Sequence, residues 1–598
     1  MTHNITIITS LVYVENNTNF SQMPQIIHHL SKLLETNIPI YIFVDPTYYS
    51  IINNVVTHIT HHATFVKLEQ IPFSLTWVHQ KCYEREQLQM PPNRNPEKDT
   101  KDFILSGHTK HQFIKEVAEK NPFQTTHFMW MDMDIPKIFH TKNETLQYLR
   151  ELSTHYLAPS FITFPGCWHK LEKSKIRDVV DSVHWRFCGG FILGDKESMT
   201  SFCNLYEECI IQFWNTYNSL VWDFNVWAWM ETEYEDRWSP SWYKADHNDS
   251  IVFISGDNIT RTLEIEDIMV YDYPAIETYY PTSACYLFYN NKHYLNTRYV
   301  NYWIYPSGCY LFANGTRLIE NKNMLSELDG ETMKPLYYKE IEEHIEMSVN
   351  RDGISIGLED IRLYEYEGGV KYIATTLGYS QCGKSRMIVG NYDIENARIC
   401  DGTIIQPPQD TWCEKNWIPF VRKMRVAENT LELDAAKVDA AKVVEEELFI
   451  YKWYPLEFGK IEVFNNVHTL KIIESHETPS LIFSKIRGSS IFQEIEEGYI
   501  GVVHFSEEHS PRHYYHMMVI LDKDNLRIKN YSETFCFEKL GIEFCIGFTM
   551  ENSLSSTDVN VSIYKYNVNN IMFWISRHDR DPILISVKNK EIKWVYKL

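Results

Sequence analysis

The periodicity of this chain changes near Thr278, and that change limits its fold more than any other feature. Before it, strand-like and helix-like segments alternate. Ile5–Val14 is a run of Ile, Val and Thr with the pattern of a buried strand. Gln25–Leu34 has apolar residues at helical spacing, and Ile38–Val44 is strand-like again, closing on Asp45-Pro46, read as a turn. Phe113–Glu119 is helical until Asn121-Pro122 breaks it, Thr126–Met131 returns to strand, and the Pro-rich stretch 91–96 is read as a surface loop. Such alternation predicts a largely parallel sheet with helices on its faces. After Thr278 short strand-like runs recur, among them Cys285–Tyr289, Ile361–Tyr364, Val370–Thr375, Gly501–Phe505 and Met517–Leu521, with turn residues between them. A β-sandwich, a barrel or a propeller has this texture, and the propeller is favoured because it adds blades without enlarging any one core. One stretch differs: 431–447 (LELDAAKVDAAKVVEEE) is Ala-, Lys- and Glu-rich and is expected to be a solvated helical insertion.

At 598 residues the chain exceeds what one core holds, so an α/β domain over 1–270 and an all-β domain over 271–598 are expected. The net charge of −22 repels phosphate backbones and argues against a nucleic-acid partner. No run of about 18 apolar residues is present, so no transmembrane segment is expected. The N-terminal run has no basic flank and no small-residue cleavage site, and the 12 cysteines lack metal-type spacing. Together these predict free thiols and a cytoplasmic location, which for a viral chain is the host cytoplasm. The 14% aromatic content suits either sugar stacking or an aromatic-rich sheet.

The most informative segment for chemistry is Met129-Trp130-Met131-Asp132-Met133-Asp134-Ile135. A hydrophobic strand that ends in Asp-X-Asp places carboxylates at the carboxyl end of a sheet, where open α/β folds bind ligands. Asp132 and Asp134 are candidate ligands for Mg²⁺ or Mn²⁺, which keep waters and bridge to phosphates; His247, in Trp242–Asn248, is a candidate third ligand. Such an ion would neutralise the diphosphate leaving group of a nucleotide-sugar. Gly189-Gly190 allows close backbone approach to a ligand or simply makes a tight turn. In the apolar segment Val221–Glu231, Asp223 and then Glu231 are candidate bases for an acceptor hydroxyl, since a buried carboxylate is costly without a partner or a task.

These segments resemble a bacterial family found in surface-polysaccharide loci, the HtrL/YibB type, which is itself similar to GT-A glycosyltransferases. The resemblance rests on Lys115 before Asn121-Pro122-Phe123, on Trp130-Met131-Asp132, on Cys188–Gly194, on Val221–Trp227 and on Trp242–Asn248, across roughly residues 1–265. It implies a GT-A-like mixed sheet of Rossmann type and a UDP- or GDP-sugar donor, with Lys115, Asp132, Gly189 and Gly190 on the donor side. Where the family often has a single acid and a small residue, this chain has Asp132-Met133-Asp134. The second half resembles the five-bladed β-propellers of β-mannoside phosphorylases and related glycosidases. The matching residues are Asn296–Tyr302, Glu359–Leu363, Glu414–Phe420, Arg487–Ser490 and Arg512–His516. That resemblance implies a glycan or anion site with Asp360 as candidate general acid. Arg298, Glu359, Arg362, Lys415, Asn416, Arg487, His504, Arg512 and His516 would surround it, although Glu359, Asp360 and Arg362 are equally suited to a cross-strand ion pair.

Three functions follow. The front domain moves a sugar from a nucleotide donor to a glycan acceptor while the second domain assists; or the second domain is the catalyst, a glycoside phosphorylase or β-glycosyltransferase; or both halves only bind glycans.

Overall fold

The computed structural model describes residues 3–12, 19–60, 64–85, 88–313, 315, 317–426, 442–550 and 569–595. The chain forms two compact units, 1–259 and 260–598.

The first unit is mixed α/β. Among the described residues its strands are β1 (Ile5–Leu11), β2 (Ile40–Val44), β3 (Val66–Gln70), β4 (His127–Met131), β5 (Ile162–Gly166), β6 (Phe191–Asp195) and β7 (Ser241–Lys244), in the order β3-β2-β1-β4-β6-β5-β7. The first four are parallel, as strand–helix–strand alternation requires. β6 runs antiparallel to both β4 and β5. The helices are α1 (Asn19–Leu34), α2 (Pro46–Thr60), α3 (Trp77–Tyr83), α4 (Lys101–Gly107), α5 (Lys110–Lys120), α6 (Lys142–Thr154), α7 (Asp178–Asp181), α8 (Lys196–Tyr217) and α9 (Asp223–Glu233). Asp45-Pro46 begins α2 instead of closing a turn: Pro46 occupies the first helical position, where its missing N–H costs nothing, and Asp45 Oδ1 accepts from Thr47 N at 3.0 Å. Asn121 stops α5 in the left-handed conformation (φ 37°). Asp195 caps α8 by accepting from the backbone of Glu197 and Ser198. Phe43, Phe113, Phe164, Phe187, Phe202, Trp214 and Trp227 fill the core on one face of the sheet.

The second unit is β-rich. Five antiparallel meanders follow one another: strands within 280–340, within 359–406, within 418–476, within 487–536, and within 543–588. Ile265–Val270, from the start of the unit, pairs antiparallel with Arg580–Lys588 and so completes the last meander. No sheet closes on itself among the described residues. The helix expected over 431–447 is corrected in part. Residues 431–441 lie outside the described residues, and 442–447 belong to the strand Lys442–Trp453. The reason is cross-strand charge: Glu445 faces Lys423 and Glu446 faces Arg422 on the neighbouring strand, an ion-pair ladder that outweighs the helix propensity of a Glu run.

Candidate functional site

In the first unit the site forms at the tip of β4. Because β6 is antiparallel to β4, the residues just before β6 lie beside the residues just after β4. Met131 pairs with Phe191, and Asp132 N donates to Gly190 O at 3.0 Å. A Cβ at Gly190 would come within 3.3 Å of Asp132 Oδ2, and one at Gly189 within 3.1 Å of Lys110 Nζ, so any larger residue at either position would crowd these polar atoms. Asp132 Oδ1 accepts from Trp130 Nε1 at 2.9 Å, while Oδ2 has no hydrogen-bond partner among the described residues. Protein packs closely around this carboxylate, yet its side chain is 41% exposed. Both observations hold if it sits at the floor of an open recess. Burial pushes its carboxyl above the ordinary Asp range, against the pull of Lys110.

Lys110 holds the cluster together. Its Nζ donates to Asp223 Oδ2 at 2.8 Å and to Gly189 O at 2.7 Å, and lies 3.8 Å from Asp132 Oδ1. Burial opposes its charge, but Asp132 and Asp223 outweigh burial and hold it above the ordinary Lys value. A cation in the first turn of a helix also opposes the helix dipole, so this position of α5 is stable only with those two acids present. Asp223 sits in the first turn of α9, where the same dipole favours it, and its side chain is 6% exposed. Its other oxygen, Oδ1, lies against Gly107 and Gly189; a Cβ at those positions would stand 3.1 and 3.5 Å away.

The remaining candidates of this unit lie elsewhere. Lys115 Nζ pairs with Glu207 at 3.1 Å between α5 and α8, because five residues along a helix turn the side chain to another face. Asp134 is ion-paired with Lys137 in the 3₁₀ turn that follows β4. His247 is exposed on the loop after β7, and Asp132, Asp134 and His247 do not bring three ligand atoms within 4.8 Å of one another. Both oxygens of Glu231 are taken by buried Arg186, Nε at 2.7 Å and Nη2 at 2.6 Å. That pair, with Trp242 Nε1 donating to Arg186 O at 2.8 Å, fixes the 182–190 loop that carries the two glycines. Glu231→Gln is expected to cost about 3–5 kcal/mol of stability by leaving Arg186 buried without a counter-ion, which chemical denaturation would read.

In the second unit four of the five meanders, and the segment just before the third, contribute to one polar cluster. Arg298 Nη1 meets Asp360 Oδ1 at 3.1 Å, Nη2 lies 3.8 Å from Glu359 Oε1, and Nε donates to Asn321 Oδ1 at 2.8 Å. Ser283 Oγ also donates to Asp360 Oδ1. A bulge interrupts pairing between Glu359 and Arg362 and puts Asp360 at φ 52°, a strained conformation for a non-glycine that aims both acids at the cluster. Asn416, at φ 64°, accepts from Arg362 Nη2 at 3.3 Å. Arg362 is fully buried and also donates to the carbonyls of Asp360 and Ser489, so it rivets meanders together. His504 Nδ1 is 2.8 Å from Ser489 Oγ; burial, with nearby His516, Arg362, Arg487 and Lys415, holds it well below the ordinary His value, hence neutral. His516 is fully buried among Phe535 and Phe537, and burial lowers it to about 3. Lys415 and Arg487 are exposed and make no ion pair or side-chain hydrogen bond among the described residues, whereas Arg512 pairs with Glu508.

Burial raises Glu359, and Asp360 and Asp579 add to the rise against the pull of Arg298 and Lys415. Its side chain is nonetheless 32% exposed, again the property of a recess floor. Asp360 is held the other way: burial would raise it, but Arg298, Arg362 and the Ser283 hydrogen bond keep it below the ordinary Asp range. Residue patterns missed Lys110, Gly107 and Asp579. Asp579 lies in the last hairpin, accepts from Thr282 Oγ1 at 3.1 Å and from Tyr302 OH, and faces Arg298 and Glu359. Its only sequence signal is a His-Asp-Arg-Asp turn, which looks like any charged hairpin tip.

Residues 77–226, about a quarter of the chain, match the family model described as a bacterial protein of unknown function, HtrL_YibB. That stretch includes Lys110, Asp132, Gly189, Gly190 and Asp223. No curated protein matches the chain. Among solved structures, a β-1,2-mannobiose phosphorylase from Listeria innocua overlaps with TM-score 0.31 and 12% identity, covering 55% of this chain and 98% of that one. Core-mannan synthase A from Aspergillus fumigatus, in its Mn/GDP form, overlaps with TM-score 0.23 and 12% identity, covering 38% and 69%. A GH62 hydrolase in complex with xylotriose overlaps with TM-score 0.29 and 10% identity, covering 55% and 97%. These overlaps are too loose to bear on chemistry.

Proposed function

We propose that the chain is a carbohydrate-active enzyme whose first unit transfers a glycosyl group from a nucleotide-sugar to a glycan acceptor. The observation that carries this is the buried ammonium of Lys110, fixed between Asp132 and Asp223 and bonded to the carbonyl of Gly189. As the bond from anomeric carbon to diphosphate breaks, negative charge grows on the diphosphate, and a preorganised cation in a recess stabilises that charge without reorganising. Asp223 Oδ1, which lies against Gly107 and Gly189, is the group that takes the proton of the acceptor hydroxyl. The hard, free Oδ2 of Asp132 fits a hydrated Mg²⁺ or Mn²⁺, and Asp134, here ion-paired with Lys137, would be the second oxygen ligand; His247 stays outside this set. When bound, the ion supplies further neutralisation of the diphosphate.

Melting the protein with Mn²⁺ and UDP, GDP or dTDP tests this. One nucleotide is expected to stabilise by about 2.7 kcal/mol at one hundred times its Kd, and Asp132→Asn to abolish the shift. A flat response to all three would sink the transfer reading.

A second reading is favoured by the carboxylates of the other unit. Five meanders in sequence, the last completed by Ile265–Val270 from the start of the unit, support a five-bladed propeller with its polar cluster where the meanders meet. There Glu359, kept protonated, would donate to a glycosidic oxygen; ionised Asp360 would stabilise the positive sugar; and free Lys415 and Arg487 would hold an anionic group such as phosphate. The acid role assigned to Asp360 from sequence thus passes to Glu359.

A further inference from the structure

We propose that Trp185 and Trp168 form the stacking platform on which the first unit seats a pyranose ring of its acceptor, an inference that rests on the transfer reading of that unit. Both indoles are exposed, Trp185 by 41% and Trp168 by 46%. Large aromatic side chains usually bury themselves, and two exposed ones on hydrogen-bonded neighbouring segments mark a place where something apolar lands. The two belong together: the N–H groups of Cys167 and Trp168 both donate to Trp185 O, at 3.0 and 2.9 Å.

The platform is rigid. Trp185 stacks on Phe224 with centroids 4.9 Å apart and planes 14° from parallel, so one face is covered and the opposite face is left to solvent. Trp168 stands edge-on to His184 at 5.0 Å. The loop beneath is pinned by buried Asn225, whose side chain accepts from His184 N and donates to the carbonyls of Val179 and Ser182. A surface whose rotamers are already fixed loses little entropy on binding.

The platform also adjoins the chemistry. Phe224 directly follows Asp223, and its ring edge lies 3.0 Å from where a Gly189 Cβ would stand. Asp223 is the proton-accepting side of the site, whereas the diphosphate belongs to Asp132. A sugar lying on Trp185 therefore sits on the acceptor side. One face of a pyranose presents axial C–H groups whose slight positive charge suits the negative face of an indole, while its hydroxyls remain at the rim. A nucleobase would also stack on indole, and the experiment separates the two.

Saturation-transfer NMR with manno-, gluco-, galacto- and xylo-oligosaccharides of two to six units, on the full chain, tests the proposal. Ring protons of at least one series are expected to receive saturation, with affinity falling about tenfold or more in Trp185→Ala, less in Trp168→Ala, and largely restored in Trp185→Phe, which keeps a flat face. Melting curves with and without nucleotide are recorded on the same variants. Three outcomes overturn the platform: no saturation from any series in the wild-type protein, saturation that survives both alanine variants unchanged, or a loss of nucleotide stabilisation in place of sugar binding. Trp-dependent sugar binding with no nucleotide effect in the wild-type protein would leave the platform standing and sink the transfer reading instead.

Discussion

Lys110→Met is expected to abolish nucleotide-sugar turnover and also to destabilise the first unit, and the two effects can be separated. Lys110 Nζ is the hydrogen-bond donor to Asp223 Oδ2, and Asp223 is 6% exposed. Removing the ammonium leaves a buried carboxylate unpaired, a change that typically costs about 3–5 kcal/mol. Adding Asp223→Asn removes the orphaned charge, so Lys110→Met/Asp223→Asn should recover most of that stability. Turnover should not return, because the fixed positive charge facing the diphosphate is still missing and the proposed proton acceptor is now an amide. Loss of one preorganised electrostatic contact to a transition state costs about 10²–10³ in rate. Full activity in the stable double variant would remove both Lys110 and Asp223 from the chemistry.

The second large effect is expected in the other unit, where two adjacent acids should respond oppositely. Glu359 is raised and Asp360 lowered. A raised acid stays protonated above the ordinary Glu range, so proton donation is present at low pH and fades as pH rises through that raised value. The lowered Asp360 keeps its charge down to below the ordinary Asp range and loses it only as pH falls further. Any glycoside cleavage or phosphorolysis should therefore follow a bell, with Glu359 setting the alkaline limb. Glu359→Gln is expected to lower the rate about 10²–10⁴-fold, to flatten that limb and to leave the fold intact, since Arg298 still has Asp360. Asp360→Asn instead strips buried Arg298 of its nearest counter-ion and should destabilise the protein by about 3–5 kcal/mol. A bell that keeps its alkaline limb in Glu359→Gln would return the acid role to another group.

Much of this architecture is local, and local features are legible in sequence. The alternation before Thr278 and the short strands after it follow from side-chain periodicity, as do the strand ending in Asp132 and the buried helix beginning at Asp223. The Glu run at 445–447 shows where local preference fails: its helix propensity is real, but Lys423 and Arg422 on the next strand decide its conformation.

What residue patterns determined by themselves was thus the change of fold class, the position of the acidic strand tip and the acids at 359–360. Only tertiary structure decided which charges meet. Lys110 reaches Asp223 across 113 positions, and Asp579 reaches Thr282 across 297, because sheet order and meander order bring distant segments together. Periodicity is a property of neighbours along the chain, whereas pairing of a buried charge is a property of neighbours in space. Lys115 and Lys110 look alike in sequence, yet only Lys110 faces the acids Asp132 and Asp223.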